Sequence, residues 1–279
     1  MVPYAFDYVR AESLEQAVSL LADDDVKVLA GGHSLIPMLK LRLASPTRLV
    51  DIGRLETLHG ITDGDTIQVG SLTTHHEMAT SAILHQKAHV LAEAAAKVGD
   101  PQVRNKGTLG GNIAHADPAS DLPAALVALG ATVRLLGSGG ERSVAAADFF
   151  VDLLETALDE GEIILGVDIP ALDAGDASAY VKHEHPASGY AVVGAAAVVR
   201  GGSVSVALNG ATASVHHAAD VGEALSGSDL SDEAIAAAHT AMALPLDELL
   251  SDVHASAEYR GHLAAIYTGR ALLLARARR

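Results

Sequence analysis

The stretch Val28-Leu-Ala-Gly-Gly-His-Ser-Leu-Ile-Pro37 decides how the chain is read. A short apolar run ends in a glycine pair, a histidine and a serine, and a second apolar run with an early proline follows. A strand that turns sharply into a helix reads this way, and such a turn either presents a nucleophile or cradles an anion. The nucleophile reading fails on spacing: a strained hydrolase elbow has the form G-x-S-x-G, and the place that needs a small residue holds Ile36. The anion reading has the chemistry it needs. Glycines let backbone N–H groups turn toward an anion and let it approach closely, and Ser34 adds a hydroxyl.

Outward from this turn, "VKVLA" predicts a strand, "LIPMLKLRL" a short helix and "RLVDI" a second strand, so the glycines sit at the crossing of a β-α-β unit. Upstream, Ser13-Leu-Glu-Gln16 has capping-box spacing and starts a helix that runs to about Ala22. Downstream, "TIQVG" predicts a strand, and Thr74-His-His-Glu77 is a second capping box before a helix near Glu77 to His85. "AHVLAEAAAKVG" gives a further helix stopped by Gly99. "RNKGTLGGNIAHADPASDLPAAL" then reads as a glycine-rich loop leading into a helix that starts near Ser120 or Asp121, and "EIILGVDIP" as a strand.

From about Ala171 the small-residue run "ALDAGDASA" marks a domain boundary, giving domains of about 1–172 (subdomains about 1–55 and 56–172) and 173–279. Beyond it, "AYVKHEH", "YAVVGAAAVV" and "VSVALNG" predict a three-stranded sheet. Helices near His216 to Leu225, Asp232 to Ala243 and Ala257 to Arg278 back it.

Composition narrows the partners. With 19 Lys+Arg against 35 Asp+Glu, the net charge of -16 repels nucleic acid and anionic membrane surfaces. The chain has no cysteine, which rules out disulfides, thiolate zinc sites and cysteine-held iron–sulfur clusters in this chain. Asp7 interrupts any signal-peptide core and no apolar run reaches a membrane span, so a soluble, cytoplasmic protein without a transmembrane segment is expected. Apolar residues make up 49% of the chain but aromatic ones only 3%, so each aromatic is informative.

A second glycine segment, Thr108-Leu-Gly-Gly-Asn112, matches the first in kind. Either one alone also suits an ordinary tight turn. Neither carries the G-x-G-x-x-G of a dinucleotide fold or the G-K-[ST] ending of a P-loop, and two separate loops suit a diphosphate bridged between subdomains. The pairs His75-His76 and His216-His217 read as exposed helix-surface histidines, because adjacent residues on a helix face different ways. Asp117 and Asp121 flank Pro118, and a carboxylate there reads as a helix cap unless ligand hydroxyls lie beside it.

Taken together, "AGGHSLIPMLKLRLASPTRLVDI", "GDPQVRNKGTLGGNIAHADPASDLPAAL" and "SGYAVVGAAAVV" resemble the FAD-binding medium subunit of the molybdenum hydroxylases, the carbon monoxide dehydrogenase and xanthine dehydrogenase superfamily. The resemblance runs from about Pro3 to the C-terminus. It implies an α+β fold, a two-subdomain FAD-binding unit of the vanillyl-alcohol oxidase type followed by a smaller α+β domain. Ala30, Gly31, Gly32, His33 and Ser34, with Leu35 after them, and Thr108, Leu109, Gly110, Gly111 and Asn112 then look like the two segments around the FAD diphosphate. Asp121 matches an aspartate on the ribityl and flavin side, Ile164 and Lys182 match flavin-contacting positions, and Tyr190 matches a tyrosine set against the isoalloxazine ring. Lys182 would stabilise negative charge near the reduced flavin. Ile164 departs from the commoner leucine. The resemblance also implies non-covalent FAD, with molybdopterin in a large partner subunit and 2Fe-2S clusters in a small one. It further implies a dimer of heterotrimers, an external acceptor such as a quinone, and carbon monoxide first as the substrate oxidised at molybdenum, with an aldehyde, xanthine or an N-heterocycle as alternatives; a stand-alone FAD-binding oxidoreductase of the same fold, with no molybdenum partner, is the other reading.

Overall fold

The computed structural model describes residues 2–279. Its first unit holds β1 (Asp7–Arg10), α1 (Leu14–Leu20), β2 (Val26–Leu29), α2 (Leu35–Leu41) and β3 (Arg48–Asp51). The three strands pair parallel in the order β1-β3-β2. Ser13 caps α1 by accepting from the Gln16 N–H. The β2-α2-β3 unit is the one expected from the glycine turn; β1, too short to show alternation, is an addition to the expected elements.

A second unit follows with β4 (Ile61–Thr62), β5 (Thr66–Gly70), α3 (His75–Thr80), α4 (Ala82–Lys87), α5 (His89–Lys97), α6 (Pro101–Arg104), α7 (Leu109–His115) and α8 (Asp121–Leu129). It closes with β6 (Thr132–Gly137), β7 (Gly140–Ala145), α9 (Ala146–Phe149), β8 (Phe150–Asp152), β9 (Glu155–Thr156) and β10 (Ile163–Pro170). Five strands form an antiparallel sheet in the order β4-β5-β10-β6-β7, with the last strand in sequence at its centre. A bulge between Ile164 and Gly166 lets β10 serve two cores. Ile163 and Leu165 pack against the first unit, while Ile164, Val167 and Ile169 face the helices of the second. The helix expected near Glu77 to His85 is two short helices, because Ser81 ends α3 and its side chain caps α4. The Thr74–Glu77 capping box is present in full.

The third unit has β11 (Ala177–Glu184), β12 (Ala191–Arg200), β13 (Ser203–Asn209), β14 (His216–His217), α10 (Ala219–Leu225), α11 (Asp232–Thr240) and α12 (Ala257–Arg276). The His216-His217 pair forms a short fourth strand beside β13 rather than the start of a helix. β12 is buried on both faces: Ala196 and Val198 face α5 and α8, while Ala195, Ala197 and Val199 face α10 to α12. This is why "AVVGAAAVV" shows no alternation. α8, apolar all round and buried along its whole length, lies between the five-stranded and four-stranded sheets. Among the described residues no helix is long and apolar enough to cross a membrane.

Candidate functional site

Where β2 gives way to α2, Gly32 takes φ +72, a left-handed conformation open to glycine without strain. A β-carbon on Gly31 would collide with the Lys106 carbonyl oxygen, so the first glycine segment touches the stretch before the second, backbone to backbone. The N–H groups of Gly31, Gly32, His33, Ser34 and Leu35 find no acceptor among the described residues. Ser34 stands at the N-cap of α2 without making a capping bond, so its hydroxyl is also unengaged. The exposed His33 ring lies with Nδ1 3.0 Å from the Gly31 carbonyl. Five consecutive unpaired donors and a hydroxyl on one turn are the donor set an anion site requires.

The second glycine segment differs from expectation. Thr108 caps α7, and Leu109 to Asn112 are its first turn rather than a loop. Leu109 N–H donates to the Thr73 carbonyl at 2.9 Å, Gly110 N–H to Ser71 at 2.8 Å and Gly111 N–H to Thr108 Oγ1 at 3.2 Å. These amides are engaged by the protein. What the segment offers a ligand is space: Gly111 is exposed, and a β-carbon there would meet only Thr108 Oγ1, at 3.0 Å. Gly110 has the opposite duty, since a β-carbon would stand 2.6 Å from that of Ser71. Asn112 accepts from Ser120 Oγ at 2.8 Å and keeps its amide NH2 for another partner.

His75 sits behind this junction. It is buried, contrary to the exposed-histidine reading, while its neighbour His76 is exposed. Its N–H donates to the Gly107 carbonyl at 3.0 Å, and its ring occupies the space a Gly107 side chain would need. Burial, helped by His33 and Arg104, pushes its imidazole down to about 4.

Asp121 begins α8, with both oxygens engaged in a buried cluster. Lys182 Nζ donates to Oδ2 at 3.0 Å and the Tyr180 hydroxyl donates to Oδ1 at 2.5 Å. Burial pushes the Asp121 carboxyl up, and Lys182 and Tyr180 pull it back. The remaining protons of Lys182 go to the Lys97 carbonyl at 3.0 Å and the Gly189 carbonyl at 2.7 Å. Lys182 is therefore not poised as a loose positive charge. It ties α8, the end of α5 and the β11–β12 turn together. The Tyr180 hydroxyl has one proton, which goes to Asp121. Asn209 Oδ1 lies 3.1 Å from the phenol oxygen, where it would need a second proton; turning the amide over puts the nitrogen, which otherwise lacks a partner, there as the donor. Gly194 leaves room for both groups.

Tyr190 ends the turn that Lys182 holds, and is 53% exposed. His185 N–H donates to the Tyr190 carbonyl at 2.8 Å and the Gly189 N–H donates to the His185 carbonyl at 2.8 Å, which fixes the turn. Partial burial, with Asp117 and Asp121 nearby, holds the phenol above its ordinary value. Ile164 lies apart: its side chain is in the core with Leu109 and Ile113. Sequence reading missed Tyr180 and Asn209. The period of two along β11 places Tyr180 on the face of Lys182, and an asparagine closing the apolar strand "VSVAL" was the other available signal.

Comparison with known proteins shows the family of the chain. The family described as FAD binding domain in molybdopterin dehydrogenase matches residues 4–172, and the CO dehydrogenase flavoprotein C-terminal domain matches residues 178–275. The chain is 38% identical to the carbon monoxide dehydrogenase medium chain of Hydrogenophaga pseudoflava, covering 100% of this chain and 99% of the relative. It is also 38% identical to the 6-hydroxypseudooxynicotine dehydrogenase complex subunit alpha of Paenarthrobacter nicotinovorans, over 98% of this chain and 95% of that one. Among solved structures, the carbon monoxide dehydrogenase of Hydrogenophaga pseudoflava superposes with a TM-score of 0.94 at 38% identity, covering 100% and 99% of the two chains. The quinoline 2-oxidoreductase of Pseudomonas putida 86 does so with 0.90 at 33%, covering 99% of each. The chain belongs to the FAD-binding medium subunits of the molybdenum hydroxylases, the carbon monoxide dehydrogenase and xanthine dehydrogenase superfamily.

Proposed function

We propose that this chain binds FAD non-covalently and passes electrons from the 2Fe-2S clusters of a small partner subunit to an external acceptor such as a quinone, while carbon monoxide is oxidised at molybdopterin in a large partner subunit. The observation that carries the reading is the run of unpaired donors from Gly31 to Leu35, on a turn whose Gly31 packs against the Lys106–Gly107 backbone that leads into the second glycine segment. Bound FAD would supply a centre that takes up electrons from one protein and releases them to another acceptor. The N–H groups of Gly31 to Leu35 and the Ser34 hydroxyl would hold the diphosphate, with Ala30 fixing the end of the strand. Thr108, Leu109, Gly110, Gly111 and Asn112 would form the opposite wall. Tyr190 would lie against the ring system, held there by Lys182 through the Gly189 carbonyl. Asp121 would orient Lys182 and the ribityl side of the site, and Ile164 would support that wall from the core.

The domain division proposed is 1–172 and 173–279, with the ligand between the first and second subdomains, in a cytoplasmic dimer of heterotrimers. Carbon monoxide is the substrate proposed because medium chains of carbon monoxide dehydrogenases match along the whole length. The equal identity to a 6-hydroxypseudooxynicotine dehydrogenase subunit keeps an N-heterocycle as the alternative. The test is to purify the chain alone and with its partner subunits. The chain alone should not oxidise carbon monoxide, aldehydes or purines, though its chemically reduced FAD should reduce a dye or quinone. Substrate turnover by the isolated chain would refute the electron-exit role.

A further inference from the structure

We propose that the β8–β9 hairpin is an anchored apolar finger that docks this chain onto a partner protein whose socket is aliphatic and rimmed by lysine or arginine. Val151, Leu153 and Leu154 are 53%, 54% and 52% exposed, side by side at the tip of one hairpin. The tip is not a loose loop. Phe149 and Phe150 root it in the core, with rings 5.3 Å apart edge to face. The Ala157 N–H donates to the Phe149 carbonyl at 2.9 Å, and Arg142 clamps the Ala157 carbonyl and Glu162 at 2.7 and 2.6 Å.

Leu154 adds a second signal. It takes φ +58, where glycine or asparagine sits with less strain, so an apolar side chain is kept at a position that disfavours it and is then left in water. A rigid, preorganised apolar tip loses little freedom on binding, which is the property of an interface anchor.

Charge selects the occupant. Asp152 and Glu155 flank the tip, Asp148 precedes its root in α9, and all three are exposed. A second copy of this chain is a poor fit. Its net charge is -16, and a surface pocket of about 380 Å³ is lined by Glu12, Glu15 and Glu56 against a single Arg54, a net negative lining that repels an acidic-rimmed tip. The acidic rim equally disfavours an anionic lipid surface. A partner with a basic rim around an apolar centre fits, and on the functional reading above that partner is one of the subunits with which the chain assembles.

The experiment co-produces the full-length chain with its two partner subunits and reads assembly by size-exclusion chromatography, with FAD content and thermal unfolding measured on the same samples. Leu153→Asp and Leu154→Gly are each expected to weaken assembly roughly tenfold or more while FAD content stays at the parent level. Leu154→Gly should at the same time raise the melting temperature, because glycine accepts the positive φ, so loss of assembly cannot come from misfolding. Reversing Asp152 and Glu155 to lysine should slow association and abolish its salt dependence. Parent-like assembly by the folded Leu153→Asp and Leu154→Gly proteins would overturn the inference and leave the FAD reading standing. A parent chain that binds FAD but recruits neither subunit would overturn the inference together with the assembly reading. If the substitutions abolished self-association or vesicle binding instead, the finger would have another occupant and the inference would fall.

Discussion

Lys182 and Asp121 meet where neither side chain reaches water, and each is held by further hydrogen bonds, so the pair is stable only as a pair. Removing one partner strands the other. Lys182→Met is predicted to destabilise the folded chain by about 3–5 kcal/mol in denaturant unfolding, and adding Asp121→Asn should recover part of that loss. Independent, additive losses would mean the two groups do not share a buried site. His75 makes a different demand. Unfolded, its imidazole takes a proton near its ordinary value of 6.5, but folded only near 4, so the stability it supports is complete above about pH 6.5 and is lost as the pH falls toward 4. The gap corresponds to an upper bound of about 3 kcal/mol. His75→Gln should flatten the fall in unfolding midpoint across that interval, and an unchanged pH slope would assign the acid sensitivity to other groups. Sequence spacing had indicated correctly that His75 and His76 face different ways. It could not tell which face is inward, because that is set by Gly107, thirty-two residues along the chain, closing over the ring.

At the scale of elements, the two glycine segments look alike in sequence and do different work. Gly31 to Leu35 keep their amides unpaired, whereas those of Leu109 to Gly111 are engaged by Thr73, Ser71 and Thr108. The distinction depends on the antiparallel meeting of residues 71–75 with 107–110, a long-range contact that no local motif encodes. It yields a prediction that separates stability from binding. In Gly111→Ala the helix-propensity gain of about 0.5–1 kcal/mol is opposed by the 3.0 Å approach of the new methyl group to the capping Thr108 Oγ1, so stability should change little, yet affinity for FAD should fall, because Gly111 is exposed on the ligand side of α7. Calorimetry with and without added FAD reads both, and undiminished affinity would place the ligand away from Gly111. The β11–β12 turn belongs to the same scale. Its Tyr190 could be singled out as one of only six tyrosines, but the Lys182 and His185 contacts that hold it arise from strand pairing.

For the molecule as a whole, what was legible in sequence was whatever is repeated locally: the Thr74–Glu77 capping box, the Ser13 cap, whose Gln16 side chain accepts from Glu12 instead of closing a second box, the β-α-β crossing and the long α12. The five-stranded sheet was largely hidden, because β6 and β7 carry Arg134, Arg142 and Glu141 among their apolar residues and β10 is bulged. The unbroken apolar run of β12 was readable as a strand, though only the layers on both sides explain its burial. Contacts join the Gly31 turn to Lys106 and Gly107, Asn112 to Ser120, and Asp121 through Lys182 to Gly189 beside Tyr190, and the central claim is that FAD binds along these residues without a covalent bond. The measurement that tests this most directly is the flavin content of the purified full-length chain after acid precipitation. The account predicts a stoichiometric amount of FAD, all of it released to the supernatant. A chain that takes up no FAD when supplied with an excess, or flavin that stays with the precipitated polypeptide, would contradict it.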